Sequence, residues 1–181
     1  MPVVAGKPLE LPVAIRKAQL HDVPAIFEMI SHYAAEKIML ARPVADLYEA
    51  IREFSVAVDE GEVVGCGALK LYSPELAEVR SLCVAPGIQK TGVGRALMES
   101  LVDESEQFGL KTVFALTLAP DFFLKCGFRE AVRERFPMKI WRDCLRCERY
   151  FRCHEKTVSL DLADRVRLDS EKRENATEVS V

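Results

Sequence analysis

The chain has 181 residues, of which 49% are hydrophobic and 29% are charged, and its formal net charge is −3. A chain of this size can bury enough apolar surface to fold as one domain without disulfides, and its acidic balance excludes a general nucleic-acid binder. No apolar run is long enough to cross a bilayer and no secretory signal begins the chain, so we expect a cytoplasmic protein without a membrane partner, whose six cysteines are thiols.

The first predicted element is a short strand that begins at Val13. Asp22 and Pro24 are typical of a helix start, with Asp22 as the capping side chain, and apolar residues follow at helical spacing. Pro43 opens a second short helix. We expect this helix to present three apolar side chains on one face: Leu47, Ile51 and Phe54.

The rest of the chain alternates between strand and helix patterns. A tight turn at residues 59–62 predicts a hairpin. The apolar segment 111–118 predicts a central strand that is covered on both faces. The predicted elements after the second helix are strands 55–58, 63–72 and 76–85, helix 92–108, strand 111–118, helix 120–126 and strand 157–162. This order indicates an α+β domain over residues 1–168 with a mixed central sheet, and the polar residues 169–181 predict a disordered tail.

A glycine-containing loop leads from the strand that ends at Pro86 into the long helix. Gly92 and Gly94 let the backbone turn tightly and approach a ligand closely. Successive N–H groups at a helix N-terminus attract an anion, and Lys90 and Arg95 add positive charge. The pattern predicts a diphosphate site, although a helix start without any ligand remains the alternative. It is neither a Walker loop nor a complete dinucleotide fingerprint.

The spacing of Gln89, Gly92 and Gly94 resembles the acyl-CoA-binding motif of the GNAT acetyltransferase family. Residues 119–128 (APDFFLKCGF) resemble that family's second signature. The resemblance covers residues 13–162 and implies the GNAT fold, in which the central sheet opens in a V-shaped splay. It also implies acetyl-CoA as cosubstrate and a homodimer.

By this resemblance, the pantetheine arm pairs with the backbone of Cys83 and Val84, the diphosphate lies on residues 89–94, and two phenylalanines pack against the arm. The implied coenzyme contacts are Leu82, Cys83, Val84, Gln89, Lys90, Thr91, Gly92, Val93, Gly94, Arg95, Phe122 and Phe123. Many family members have a tyrosine where Phe123 stands, as proton donor to the departing sulfur. Its absence puts such an acid in doubt, although a thiol can leave as the thiolate.

Glu78 is the candidate general base for the acceptor amine. Strand alternation predicts that Glu78, Arg80 and Leu82 share one face with Val84. The alternative is that Glu78 and Arg80 form part of a structural ion pair or lie at a solvated strand end.

Three segments resemble the short amino-acid N-acetyltransferases and the acetyltransferase domain of N-acetylglutamate synthase: residues 37–43 (KIMLARP), 78–82 (EVRSL) and 136–147 (FPMKIWRDCLRC). This resemblance implies transfer to the α-amino group of L-glutamate, the first step of arginine biosynthesis, without a kinase domain. Arg42, Arg80 and Lys139 are the candidate carboxylate-binding residues. Each is alternatively a surface cation.

The motifs do not separate glutamate from glutamine or aspartate. Another small amine, a protein N-terminus, or a non-catalytic acyl-CoA-binding module are the other functions that the pattern allows.

Three cysteines lie close together in the sequence before the last predicted strand. Cys144, Cys147 and Cys153 are weak candidates for a metal site, together with His154. A redox-sensitive thiol pair and simple packing are the alternatives, and we do not expect a metal.

Overall fold

The computed structural model describes residues 13–165, so the predictions for residues 1–12 and for the tail at 169–181 lie outside the described part of the chain. The helices are α1 (Val23–Ala35), α2 (Val44–Glu49), α3 (Val93–Gln107), α4 (Pro120–Lys125) and α5 (Pro137–Arg142). The strands are β1 (Ala14–Lys17), β2 (Phe54–Asp59), β3 (Glu62–Ser73), β4 (Leu76–Val84), β5 (Thr112–Thr117), β6 (Arg129–Ala131) and β7 (Lys156–Asp161).

The strands form a seven-stranded mixed sheet in the order β1-β2-β3-β4-β5-β7-β6. β4 and β5 are parallel, whereas the β1–β2, β2–β3, β5–β7 and β6–β7 pairs are antiparallel. The fold is therefore the predicted α+β fold with a mixed central sheet. Pairing of β4 with β5 runs from Leu76 to Glu78 on β4, although β4 continues to Val84.

Among the described residues, one compact unit comprises residues 13–70 together with Val79–Glu104. In this unit α1 and α2 pack on one apolar cluster around Ile26, Ile30 and Phe54. α3 packs on another cluster that includes Val64 and Leu97. The burial of apolar side chains on both clusters fixes these helices on the strands, because each buried side chain is worth about 1.5–3 kcal/mol.

Two glycines of β3 allow α3 to lie close to the sheet. A Cβ on Gly67 would stand 2.8 Å from Leu82 Cδ1 and 3.0 Å from Leu101 Cδ1, and a Cβ on Gly65 would stand 2.9 Å from Leu97 Cδ1. Real Cβ atoms do not approach other atoms so closely. Because the nearest atoms are the ends of leucine side chains, those side chains would have to shift if Gly65 or Gly67 were replaced.

The other compact unit comprises Leu71–Glu78 and residues 105–165. Its core contains the rings of Tyr72, Phe114 and Phe136, of which the last two are stacked with centroids 4.1 Å apart. β5 lies between β4 and β7, and its residues Val113–Ala115 are buried. The prediction of a central strand is therefore confirmed.

The predicted hairpin is also confirmed. Asp59 pairs with Glu62, and the two residues between them, Glu60 and Gly61, have φ angles of 48° and 89°. Two successive left-handed residues are typical of the tight turn that matches the twist of antiparallel strands.

Two details of the predicted helices are wrong. Asp22 stands at the N-cap of α1 but makes no side-chain cap there. Its carboxylate instead accepts the N–H of Gln19 at 2.7 Å and pairs with Arg16 at 2.6 Å. The second helix ends at Glu49, so Ile51 lies in a 3-10 turn and Phe54 begins β2. The structure adds α5 and β6, which the sequence patterns did not predict.

Candidate active site

The loop between β4 and α3 has the backbone of an anion-binding site. Gly87, Lys90 and Gly92 have left-handed φ angles of 90°, 65° and 95°. The backbone N–H groups in the first turn of α3, which begins at Val93, have no carbonyl acceptor within the helix. Unpaired amides at the start of a 15-residue helix present partial positive charge. This loop therefore fits the diphosphate of a coenzyme A derivative.

Tyr33 of α1 connects this loop to the end of β4. Its hydroxyl donates to the carbonyl of Val84 at 2.6 Å and accepts a hydrogen bond from the Gln89 side chain at 2.7 Å. Gln89 Oε1 also accepts the N–H of Gly87 at 3.1 Å. The Gln89 side chain therefore stabilises the loop through its hydrogen bonds with Gly87 and Tyr33. No local sequence motif indicates these contacts of the Tyr33 hydroxyl.

β4 contains an irregularity at Ser81, whose φ angle is 53°. Before it, Arg80 reaches Glu53 in the turn that follows α2, at 2.7 Å. After it, Leu82 packs in the cluster of α3. The predicted shared face of Arg80 and Leu82 is therefore wrong, since a left-handed residue resets the alternation of side chains along a strand.

The first candidate coenzyme contacts on β4 differ in their surroundings. Leu82 and Val84 are half-buried beside α3. Cys83 is buried, and its sulfur lies 3.6 Å from that of Cys66 on β3. Burial and this neighbour raise the pKa of the Cys66 thiol, the hydrogen bond with Cys83 being the largest cause. Both cysteines are free thiols.

Phe122 and Phe123 lie on α4 with their rings edge to face at 5.5 Å. Phe123 is buried and also contacts Phe128 at 5.3 Å. The structure thus brings the two predicted aromatic residues together. Neither ring carries a hydroxyl that could protonate a departing sulfur.

Glu78 lies in a buried cluster of four polar groups. Lys139 Nζ is 2.9 Å from Glu78 Oε1 and also 2.9 Å from Asp143 Oδ2. The hydroxyl of Tyr72 is 3.0 Å from Glu78 Oε2 and 2.7 Å from Asp143 Oδ2. Glu78 is therefore paired with Lys139, and Arg80 is paired with Glu53. Both residues thus form part of ion pairs, as the alternative to a catalytic role predicted, although they do not pair with each other.

Burial and neighbouring charges determine the protonation states of the groups in this cluster. Burial lowers the pKa of Lys139, but the charge of Glu78 and hydrogen bonds with Glu78 and Asp143 outweigh it, so the pKa is raised. Burial, followed by the charge of Glu78, raises the pKa of Tyr72 well above its ordinary value. Lys139 is consequently an ammonium and Tyr72 a neutral phenol at neutral pH. The i,i+4 spacing of Lys139 and Asp143 is the one sequence signal of the cluster.

The other two candidate carboxylate-binding residues, Arg42 and Arg80, have different surroundings. Arg42, in the loop before α2, is half-buried and lies over the ring of Phe54 with its guanidinium carbon 5.5 Å from the centroid. Arg80 is engaged by Glu53. Lys139 is engaged by two carboxylates, so a third carboxylate would have to compete with them.

The cysteine segment does not form a ligand cluster. Cys153 Sγ accepts a hydrogen bond from Arg133 at 3.2 Å, and Cys144 is buried. Over residues 13–165, no three His, Cys, Asp or Glu side chains come together in a way that could hold a metal ion. The metal hypothesis for Cys144, Cys147 and Cys153 therefore has no geometric support. Across the same residues, no helix has the length and apolarity required to span a membrane.

Comparisons with known proteins agree with this geometry. Residues 50–130 match a family described as the acetyltransferase (GNAT) domain. An uncharacterized N-acetyltransferase of Chlorobaculum tepidum is 43% identical over 141 residues, which cover 78% of this chain and 91% of that protein. An amino-acid acetyltransferase of Mycobacterium tuberculosis is 38% identical over 127 residues, covering 68% of this chain and 72% of the relative.

Solved structures give the same result. A Mycobacterium tuberculosis protein crystallised with CoA and a second ligand superposes with a TM-score of 0.71 and 30% identity, over 82% of this chain and 98% of that one. N-acetylglutamate synthase of Neisseria gonorrhoeae, in complex with coenzyme A and N-acetyl-glutamate, superposes with a TM-score of 0.75 and 28% identity. That match covers 84% of this chain but 36% of the longer synthase chain.

The fold and the glycine loop together define an acetyltransferase. More narrowly, the chain belongs to the GNAT family, and relatives within that family are named amino-acid acetyltransferases.

Proposed function

We propose that this protein transfers the acetyl group of acetyl-CoA directly to the α-amino group of L-glutamate. The observation that carries the proposal is the loop with left-handed residues Gly87, Lys90 and Gly92 in front of α3, whose first-turn N–H groups have no acceptor within the helix. A diphosphate can accept hydrogen bonds from these N–H groups, and Lys90 is exposed beside them. We further propose that the pantetheine arm follows the last residues of β4, as the family resemblance implies.

The reaction needs a neutral amine, because the ammonium form has no lone pair to attack the thioester carbonyl. In the proposed mechanism Glu78, directly or through a water molecule, accepts the ammonium proton. The amine then attacks the carbonyl carbon, and a backbone N–H near Cys83 or Val84 stabilises the oxyanion. Collapse of the tetrahedral adduct breaks the C–S bond. The thiolate leaves with the electron pair and takes the second nitrogen proton, so one proton per turnover remains on Glu78.

Arg42 is the residue that we propose for the carboxylate of the acceptor. Its guanidinium offers two parallel N–H donors in a fork that matches a carboxylate. The contact with Phe54 holds the guanidinium in one orientation, which reduces the entropy that substrate binding would cost. Lys139 is a weaker candidate for this role, because Glu78 and Asp143 already occupy its ammonium.

Two relatives support an amino-acid acceptor. The 38% identical protein from Mycobacterium tuberculosis is named an amino-acid acetyltransferase, and the synthase from Neisseria gonorrhoeae was solved with N-acetyl-glutamate. A role in arginine biosynthesis, a cytoplasmic location and a homodimer are predictions that accompany this proposal.

The test is release of coenzyme A thiol from acetyl-CoA with a panel of free glutamate, glutamine, aspartate and short peptides. We expect glutamate to give the highest kcat/KM. Arg42→Ala should raise KM for glutamate at least tenfold and leave acetyl-CoA binding unchanged, because a charge-assisted hydrogen bond contributes about 1.5–3 kcal/mol. Arg52→Ala, which removes an exposed arginine nearby, is the matched control.

Three outcomes would contradict the proposal. Turnover on peptides alone would indicate a protein N-terminal acetyltransferase. A preference for glutamine over glutamate would change the acceptor. Binding of acetyl-CoA by calorimetry without thiol release from any acceptor would indicate a non-catalytic module.

A further inference from the structure

Acetylation of an amine releases a proton, and the described site contains a route by which that proton can leave. An ammonium and a thioester give an amide, a thiol and one proton. In the proposed function, Glu78 holds that proton at the end of each turnover. The side chain of Glu78 is only 3% exposed, so direct return of the proton to bulk water is obstructed.

Tyr72 is in contact with both Glu78 and a more open carboxylate. Its hydroxyl oxygen lies 3.0 Å from Glu78 Oε2 and 2.7 Å from Asp143 Oδ2. A phenol has one proton to donate, but its oxygen also accepts hydrogen bonds. When Glu78 carries a proton, it can donate to the Tyr72 oxygen while Tyr72 donates to Asp143. Each of the two contacts of the Tyr72 hydroxyl then has one donor and one acceptor.

Asp143 is the member of this cluster with the greatest exposure to solvent. Its side chain is 28% exposed, compared with 3% for Glu78 and 13% for Lys139. Lys139 contacts both carboxylates at 2.9 Å. The Lys139 ammonium lies between the two carboxylates and stabilises a negative charge on either one. Lys139 therefore remains the counter-ion when the negative charge moves from Asp143 to Glu78.

We propose that Tyr72 and Asp143 form a proton relay that returns the proton from Glu78 to solvent after each acetyl transfer. In the relay step, the O–H bond of protonated Glu78 breaks as a new O–H bond forms on the Tyr72 oxygen. The original Tyr72 proton passes at the same time to Asp143 Oδ2, which then releases it to water. No redox change or additional reactant is involved. The inference rests on the proposed function, and Tyr72 and Asp143 act here through Glu78.

The neutral state of Tyr72 is consistent with a concerted transfer. Burial raises its pKa well above the ordinary value, and the neighbouring charge of Glu78 adds to this. A free phenolate is therefore too unstable to serve as an intermediate. The guanidinium of Arg142 lies 5.9 Å from the centre of the Tyr72 ring, and the Phe114 ring lies 5.7 Å from it, so the ring has little freedom to turn away.

The test compares Tyr72→Phe and Asp143→Asn with the wild-type protein and with Tyr48→Phe. Tyr48 is 47% exposed, so its variant makes the same chemical change away from the cluster. We expect Tyr72→Phe to lower kcat by about tenfold to a hundredfold, the lower part of the range for assisted proton transfer, with KM for acetyl-CoA unchanged. Proton release should become rate-limiting, so the solvent deuterium isotope effect on kcat should rise. Asp143→Asn should behave similarly, and Tyr48→Phe should match wild type.

Asp143 lies nearer the surface than Tyr72, so Asp143→Asn can still be measured if Tyr72→Phe does not fold. Normal kcat and an unchanged isotope effect in either folded variant would overturn the relay. Glu78→Gln separates this failure from failure of the proposed function. If Glu78→Gln is inactive while both relay variants are fully active, the base role stands and the relay is wrong. If Glu78→Gln retains full activity, the base role and the relay are both wrong.

Discussion

The hydroxyl of Tyr33 donates to the carbonyl of Val84 at 2.6 Å, which joins helix α1 to the last residue of β4. The same oxygen accepts a hydrogen bond from Gln89, the first residue of the glycine motif. One phenol therefore fixes both the end of the strand and the start of the loop. The shape of the proposed coenzyme site depends on a residue 51 positions away from Val84 in the sequence.

Tyr33→Phe should weaken coenzyme binding without unfolding the protein. The substitution removes two hydrogen bonds but keeps the ring, and each such bond contributes about 1 kcal/mol. We expect the Kd for coenzyme A, measured by calorimetry, to rise about fivefold or more. Tyr48→Phe is the control because it removes an exposed hydroxyl. An unchanged Kd in Tyr33→Phe would show that Tyr33 does not shape the loop.

Gly92→Ala should reduce coenzyme affinity through backbone strain. Gly92 has a φ of 95°, and a non-glycine residue there costs about 1–3 kcal/mol. Gly61→Ala is a matched control, because Gly61 has a φ of 89° in the β2–β3 turn and no atom within 4 Å of an added Cβ. Both variants should lose thermal stability, but only Gly92→Ala should lose affinity. Equal affinity in the two variants would contradict the assignment of the loop.

Gly67→Ala should destabilise the packing of α3 on β3. An added methyl would stand 2.8 Å from Leu82 Cδ1, and overpacking of this kind costs about 1–3 kcal/mol. Urea unfolding measures the loss of free energy. In the double variant with Leu82→Ala, the penalty should be smaller than the sum of the two single penalties. An additive result would mean that the contact with Leu82 is not the cause.

Lys139 should contribute stability that is lost at alkaline pH. Although burial lowers its pKa, Glu78 and Asp143 raise it above the ordinary value of 10.5. The contribution is therefore fully present below pH 10.5 and disappears as the pH rises through the pKa of the folded state. Lys139→Met should cost about 3–5 kcal/mol near neutral pH, because it leaves buried Glu78 without its cation.

The measurement for Lys139 is urea unfolding at a series of alkaline pH values. The difference in unfolding free energy between wild type and Lys139→Met should narrow as the pH rises. Lys125→Met, which changes an exposed lysine, should leave the pH profile of the wild type unaltered. A constant difference across the series would contradict the role of the Lys139 charge.

Asp22 should make the protein sensitive to acid. The hydrogen bond from Arg16 is the largest cause that lowers the pKa of Asp22 below the ordinary value of 3.8. Its contribution to stability is present above pH 3.8 and is lost as the pH falls through the folded-state pKa. Asp22→Asn should lower the unfolding free energy by about 1–3 kcal/mol at neutral pH. That deficit should shrink in strong acid, as measured by guanidinium unfolding.

Local patterns predicted much of the fold because the features concerned are encoded within a few residues. Glu60 and Gly61 specify the hairpin turn, and the uninterrupted apolar run of β5 specifies a central strand. The left-handed conformation of Ser81 carries no such signal, since serine rarely adopts it without tertiary support. The wrong prediction that Arg80 and Leu82 share one face of β4 follows from the conformation of Ser81 alone.

The candidate site was predictable where main-chain geometry determines it and not where distant side chains meet. The glycine spacing after β4 indicated the coenzyme loop. The cluster around Glu78 instead joins residues separated by as many as 71 positions, such as Tyr72 and Asp143. Only the fold brings them together, and the short helix α5 that carries Lys139 lacks a strong periodic pattern.

The proposed recognition of a coenzyme by main-chain amides has a practical consequence for protein engineering. The exposed side chain of Lys90 can be exchanged for a reporter group more safely than those of Gln89 and Thr91, whose hydrogen bonds hold the loop together. The acceptor residues, in contrast, would act through their side chains. Attempts to redirect this enzyme to a new amine should therefore vary Arg42 and its neighbours and leave the backbone of the loop untouched.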